Sequence, residues 1–504
     1  MAKPPSYFTF VWKDKTCHNY LIYGLAACIL QFIIFKILYP FPDFFNDSYW
    51  YVFAAYNKLD ISFWPIGYSK FLSGFHYLTH SDTAVIAFQY FFLQLTALNF
   101  AFTLLYFFNI KSWIQRALLL FIICNPLTLY LANTIASDTI FGALTLLWLS
   151  QLLWIILKPR RHHLVIAAIA VFLCFTIRNT TYYYPLITTL TIILSRQPVW
   201  QKLAGIALPI VLIVPFVLYT QSAAYKVTGT RTFSLLTGWQ VANNVLYYYD
   251  HIKVDSNELP DGEARQVNRL ALKFFKETTP AKYEEFLNST DGNIFIINYQ
   301  SPLKQYFVLQ QQKYPAASLL TQWGMSSVAF EPFGRSIVAH HPWAYFRYFV
   351  SMNTVNYLLP QISDLGNYSN NRNNIEPLIA SWFDYPSTRI TCISHHLQGN
   401  LSVYRIFFFF LHLYFLAVAA LILAKVRSIQ FTQNTIFLYC ILTGYILANA
   451  VFSAAVTINL LRYQYIPMYV LLLTDMLLTE NIFRLYADKP RPELVDAPME
   501  TFSL

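Results

Sequence analysis

Long apolar stretches return along this chain from residue 20 to residue 479, and lysine and arginine gather at every second connection between them. That recurrence leaves few folds open. In hydrocarbon a backbone must satisfy its own hydrogen bonds, so each stretch of about 20 apolar residues crosses as a helix. A signal peptide followed by a soluble domain would show one such stretch, not a series. Apolar spans are read at 20–39, 82–109, 113–133, 135–157, 162–177, 181–195, 203–220, 403–424, 433–455 and 461–479. The fifth and sixth are short, which predicts tilted helices or a partly re-entrant pair. The expected fold is an all-α polytopic membrane protein of about ten transmembrane helices.

Composition agrees: 56% of the 504 residues are hydrophobic and 12% are charged, where a soluble chain carries about 25% charge. The net charge of +10 is a topology signal. Lys3, Lys13, Lys15, Lys111, Lys158, Arg160, Arg161, Arg196, Lys202, Lys425, Arg427, Lys489 and Arg491 occupy short connections or tails, which the positive-inside rule assigns to the cytoplasm. Both termini then fall inside, and nucleic acid is excluded as a partner. The six cysteines lack CxxC or zinc-finger spacing, and Cys392 alone falls in the long outer segment. That segment therefore has no internal disulfide. Together with the lack of an Arg-rich amphipathic leader, this favours a bacterial inner membrane.

Three divisions follow: an N-terminal membrane module over 1–220, a mainly helical outer segment over 221–402, and a C-terminal membrane module with its tail over 403–504. The first outer loop, 40–81, holds two amphipathic stretches, SYWYVFAAYNKL from Ser48 and WPIGYSKFLSGFHYL from Trp64. Their helical spacing and aromatic content suit helices in the headgroup plane, or helices packed on the protein's own bundle. In the outer segment, DGEARQVNRLALKFFKE from Asp261 and HPWAYFRYFVSMNTVNYLL from His341 are helix candidates.

Charge near the outer boundary marks the candidate chemistry. Asp47, in FPDFFNDSYWY, can act as a general base or, with Asn46, cap the following helix. Asp138, in NTIASDTIF, can orient a substrate or cation, or share helix capping with Ser137. Arg178, in TIRNTTYYYP, and Arg462, in NLLRYQYIP, suit an anionic headgroup because guanidinium binds phosphate in a fork; snorkelling or a carboxylate partner is the plainer account. Lys70 can contact headgroups or anchor its helix. His340 and His341 are adjacent, which is poor geometry for one metal ion. No HExxH, GxSxG or Walker sequence is present, and no cofactor is called for; a divalent metal is compatible with the chemistry but not indicated.

These pieces resemble the GT-C superfamily of membrane glycosyltransferases, which includes aminoarabinose transferases and protein O-mannosyltransferases. The likeness lies in NDSYWYVFAAY after the first helix, WPIGYSKFL behind it, IASDTIFGALTLL opening the fourth helix, and LLRYQYIPMYVLLL opening the last. The first loop motif carries a single aspartate where some members carry an acidic pair, which speaks against the metal-dependent variants. The resemblance implies a polyprenyl-phosphate-linked sugar donor and a glycan, lipid or protein acceptor. Asp47 would take the acceptor proton beside Asp138, and the sugar would transfer with inversion. Arg178 and Arg462 would face the lipid phosphate, with Lys70, Tyr68, Tyr463 and His341 as further substrate contacts. A transporter or flippase for a lipid-linked intermediate is the main alternative, and a non-catalytic scaffold or sensor the second.

Overall fold

The structure, a computed structural model, describes residues 6–260, 262–288, 292–424 and 431–486, apart from the side chains of 484–486. Lys3, Asp261, Lys425, Arg427, Lys489 and Arg491 lie outside the described residues. Among those residues the regular structure is helical, with three isolated β-bridges.

Eight helices are long and apolar enough to cross a membrane: Lys15–Leu38, Asp82–Phe107, Ser112–Ala132, Asp138–Leu157, Val199–Thr228, Leu397–Ala424, Gln433–Val456 and Tyr465–Phe483. The two short spans expected from sequence become Arg161–Ile177, of 17 residues, and Tyr184–Leu194, of 11. At about 1.5 Å per residue, the second falls well short of a hydrocarbon core about 30 Å thick. Asp138–Leu157 is the central helix, buried over 83% of its apolar window, whereas Val199–Thr228 is buried over 17% and faces outward.

Local sequence explains the breaks. Pro126 cannot continue the helix that precedes it, so Ser112–Ala132 bends there, and the Asn125 side chain accepts from Leu127 N–H at 3.0 Å to start the second piece. Val199–Thr228 stops at Gly229, whose φ of 72° is the left-handed cap that glycine adopts without strain.

The amphipathic stretches of the first outer loop form helices Asn46–Tyr56 and Gly67–His76. Their inner faces, carrying Tyr51, Val52 and Ala55, and Tyr68 and Leu72, join the apolar core of the bundle. Packing on the protein thus accounts for both faces; Tyr77 and Leu78, at 76% and 84% exposure, remain outside it. Gly67 permits the second helix to abut the end of Arg161–Ile177. A Cβ there would lie 2.5 Å from Thr176 Oγ1 and 2.6 Å from the Thr176 carbonyl oxygen.

The long outer segment feeds three cores, the smallest of which joins its Ala224, Leu235 and Leu320 to Ile61 and Phe63 of the first outer loop. Trp239, Phe274, Phe295, Phe330 and Phe333 centre one that belongs to the outer segment alone. Tyr357, Leu365, Tyr368, Trp382 and Leu401 join the bundle core instead, so the end of the segment is a lid on the membrane helices.

Candidate functional site

Asp47, Asp138, Arg178 and Arg462 meet at the end of the bundle where the outer segment packs. Asp47 lies in the first turn of Asn46–Tyr56, where the helix dipole favours an anion. It does not cap that helix. Phe45 is the cap residue, and its N–H donates to Ser48 Oγ at 3.0 Å. Asp138 opens the central helix, preceded by Ser137, which makes no capping hydrogen bond. The Ser137 hydroxyl instead contacts Tyr51 OH at 3.0 Å and accepts from Arg178 Nε at 3.1 Å. Capping therefore explains neither aspartate.

Arg178 closes Arg161–Ile177 in an extended conformation, which turns its side chain back across the bundle. Its Nη2 donates to Asp138 Oδ1 at 2.7 Å. Arg462, in the short turn Leu461–Tyr463 before the last span, donates from Nη2 to Asp47 Oδ2 at 2.7 Å. Its Nη1 stands 3.6 Å from Asp138 Oδ2, so Arg462 bridges the two acids. Tyr463 lies between the guanidinium groups, whose carbons stand 4.7 Å (Arg178) and 5.0 Å (Arg462) from its ring centroid, a further attraction for both cations.

The quartet sums to zero charge but is unevenly satisfied. Nε and Nη1 of Arg462 are buried without a hydrogen-bond partner. Burial opposes the Arg462 charge, yet Tyr463, Asp47, Asp138 and Asp364 around it raise its pKa further above the usual arginine value. The side chains of Arg462 and Asp138 are each 5% exposed, that of Asp47 21%. Asp47 is thus the carboxylate an incoming group reaches first. Beside the quartet runs a cleft lined by Arg178, Thr180, Asn449, Thr457, Arg462 and Tyr463. Thr180 Oγ1 and Asn449 Oδ1 are buried there without partners.

Other residues singled out in the sequence lie apart from the quartet. Tyr68 is fully buried and donates to Gln89 Oε1 at 2.6 Å, with its ring edge-on to Tyr51 at 4.8 Å, so it supports the site from behind. Lys70 pairs with Asp60 at 3.1 Å near the surface. His341 pairs with Glu258 at 3.1 Å in the outer segment, and His340 Nδ1 lies 2.9 Å from the Ser336 carbonyl oxygen. No group of three or more His, Cys, Asp or Glu side chains among the described residues is arranged to hold a metal ion.

Asp43, four residues before Asp47, escaped the sequence reading. It is 1% exposed, and its carboxylate accepts from Ser369 N–H at 2.8 Å and Gln398 Nε2 at 3.0 Å, pinning the lid segment to the first outer loop. Its backbone N–H donates to the Asn133 carbonyl at 2.8 Å. Burial pushes the Asp43 carboxyl up to about 7, against the hydrogen bonds that favour its ionised form. A carboxyl raised in the folded state stabilises most when protonated, and that contribution fades as pH rises from about 4 through about 7. Thermal melts across that window should show stability falling with pH, and Asp43→Asn should flatten the slope; an unchanged slope places the titration elsewhere.

No family model matches the chain, and neither the curated proteins nor the solved structures contain a match to it.

Proposed function

We propose that the protein is a polytopic membrane glycosyltransferase that moves a sugar from a polyprenyl-phosphate-linked donor to an acceptor hydroxyl, with inversion, on the outer face of a bacterial inner membrane. In this reading Arg161–Ile177 and Tyr184–Leu194 complete ten membrane-inserted helices with both termini inside. The observation that supports it most directly is the buried quartet, in which Arg462 pairs with both acids and still has N–H groups without a hydrogen-bond partner. Such donors fit an anionic oxygen, and arginine forks match phosphate.

The proposed chemistry follows from exchange of partners. A lipid phosphate drawn to Arg462 and Arg178 competes with the carboxylates for the guanidinium N–H groups and releases Asp47. The freed carboxylate accepts the proton of the acceptor hydroxyl as that oxygen bonds to the anomeric carbon. The bond from this carbon to the phosphate oxygen breaks, and its electron pair leaves with the phosphate, held by the two arginines. Sugar release from polyprenyl-phosphate sugars by the purified protein in lipid should drop by about 10²–10⁴-fold in Asp47→Asn. A variant as active as the parent removes Asp47 from the mechanism.

One observation favours the transporter reading. Asp475 lies within the last span, 2% exposed, with neither carboxylate oxygen hydrogen-bonded, and an ionisable group inside a membrane commonly marks an ion or proton pathway. Glycosyl transfer that survives Asp475→Asn supports the enzyme. Flipping of a lipid-linked sugar in proteoliposomes, abolished by the same substitution, supports the transporter.

A further inference from the structure

A second cleft, walled largely by apolar residues such as Leu59, Val227 and Leu320, lies between the first outer loop and the outer end of Val199–Thr228. Its open part has a volume of about 200 Å³ and presents Asp60, Tyr219, Ser222 and Lys226. Asp60 and Ile61 also line an inner recess of about 20 Å³, space for one water-sized group. Three polar atoms of that recess are buried without a hydrogen-bond partner: Trp64 Nε1, Thr220 Oγ1 and Asn179 Oδ1. Thr220 is 6% exposed. The other end of the Asn179 amide is held, since its Nδ2 donates to Ser234 Oγ at 3.4 Å. Asn179 also follows Arg178 of the quartet directly in the sequence.

Buried polar atoms rarely stay unpaired, because each costs a lost hydrogen bond. Here a donor, an acceptor and a hydroxyl that is both line one recess, and Phe216 and Phe233 form its apolar wall. That mixture matches hydroxyl groups, which donate and accept at once, better than it matches an ionised phosphodiester, which only accepts.

We infer that this cleft binds a sugar ring, with the ring in the open part and one hydroxyl in the Trp64–Thr220–Asn179 recess. The inference deepens the glycosyl-transfer reading and rests on it for the identity of the ligand. The ring is either the sugar of the donor or part of a glycan acceptor; the recess chemistry is the same for both.

The test uses the full chain in lipid nanodiscs and a panel of methyl hexosides and pentosides, with binding read by saturation-transfer NMR. At least one glycoside should bind, and Thr220→Val and Trp64→Phe should each weaken it by about three- to tenfold without lowering the melting temperature. Displacement by a polyprenyl-phosphate sugar identifies the donor's ring, and binding alongside it identifies the acceptor's; either result supports the site. If a variant folds poorly, Thr220→Cys gives a second readout, because bound glycoside should slow thiol labelling at that position. The inference is overturned if no glycoside binds, if both variants bind like the parent, or if only inorganic phosphate occupies the cleft. Should glycoside binding respond to Thr220→Val while no sugar is ever transferred, the glycosyltransferase reading fails and the sugar site stands. Transfer with unaltered kinetics in both variants gives the reverse.

Discussion

Arg462→Met is expected to be the most damaging single substitution in the site, costing about 3–5 kcal/mol of stability and, under the proposed function, all measurable sugar transfer. Arg462 is the only residue of the quartet that reaches both acids, at 2.7 Å to Asp47 and 3.6 Å to Asp138. Removing it leaves Asp47 without its cation and Asp138 with Arg178 alone. Asp47 is only 21% exposed, so without its cation its desolvation is no longer offset, and losing one partner costs more than the pair contributes. Methionine fills much of the volume, so the loss is electrostatic rather than a cavity effect. Thermal melts of Arg462→Met, Asp47→Asn and the double variant separate the terms. The double variant should regain part of the lost stability, because the orphaned charge is gone, and should stay inactive. Arg462→Lys keeps the charge but cannot direct separate N–H groups at two carboxylates, so it should fall between parent and Met. Equal stability of Arg462→Met and the parent would mean that the quartet is not a coupled unit.

The parts of this site legible in the sequence were those where charge stands where charge is costly. Asp47, Asp138, Arg178 and Arg462 each border an apolar stretch, and the fold gathers all four. Their pairing was not legible, because Asp47 and Arg462 are 415 residues apart and no local pattern links them. Tyr68 and Lys70 show the converse. They share a helix and are both expected as substrate contacts, yet one points inward to Gln89 and the other outward to Asp60. Helical spacing defines faces, not the neighbours that meet them. Asp43 was hidden for a similar reason: it sits in a short aromatic link, and its partners Ser369 and Gln398 come from a distant lid. Asp475 vanished into the average of an apolar window. The recurrence of apolar helices was plain, whereas two short helices left their count unsettled, since length is the only cue that a segment crosses.

Gly238→Ala should unfold the core of the outer segment, although it adds only one methyl group and removes no charge. Gly238 lies where helix Thr237–Leu246 crosses helix Leu319–His340, and an added Cβ would sit 1.8 Å from the Ser327 carbonyl oxygen. That obstacle is backbone, so no rotamer relieves it and the two helices must separate. Overpacking costs about 1–3 kcal/mol where side chains can yield, and here the cost should lie at or above the top of that range. Three contacts fail together when the helices part: the Gly238 N–H donation to Ser327 Oγ at 3.1 Å, the Trp239–Trp323 stack at 3.9 Å, and the Lys304 ammonium held over both rings. Function should follow, because Asn244 on the same helix donates to the Val456 carbonyl at 2.9 Å. Val456 ends the helix that carries Asn449 into the cleft, and the chain then runs directly to Arg462. Displacing Thr237–Leu246 therefore loosens the segment that positions the central arginine. Gly444→Ala, where a Cβ meets nothing within 4 Å, is the matched control and should be neutral or slightly stabilising. Tryptophan fluorescence should report the loss of the Trp239–Trp323 stack in Gly238→Ala and not in the control, and the proposed sugar transfer should fall in parallel. A folded, fully active Gly238→Ala would show that the outer segment can shift without disturbing the quartet, and would break the proposed link between its core and the site.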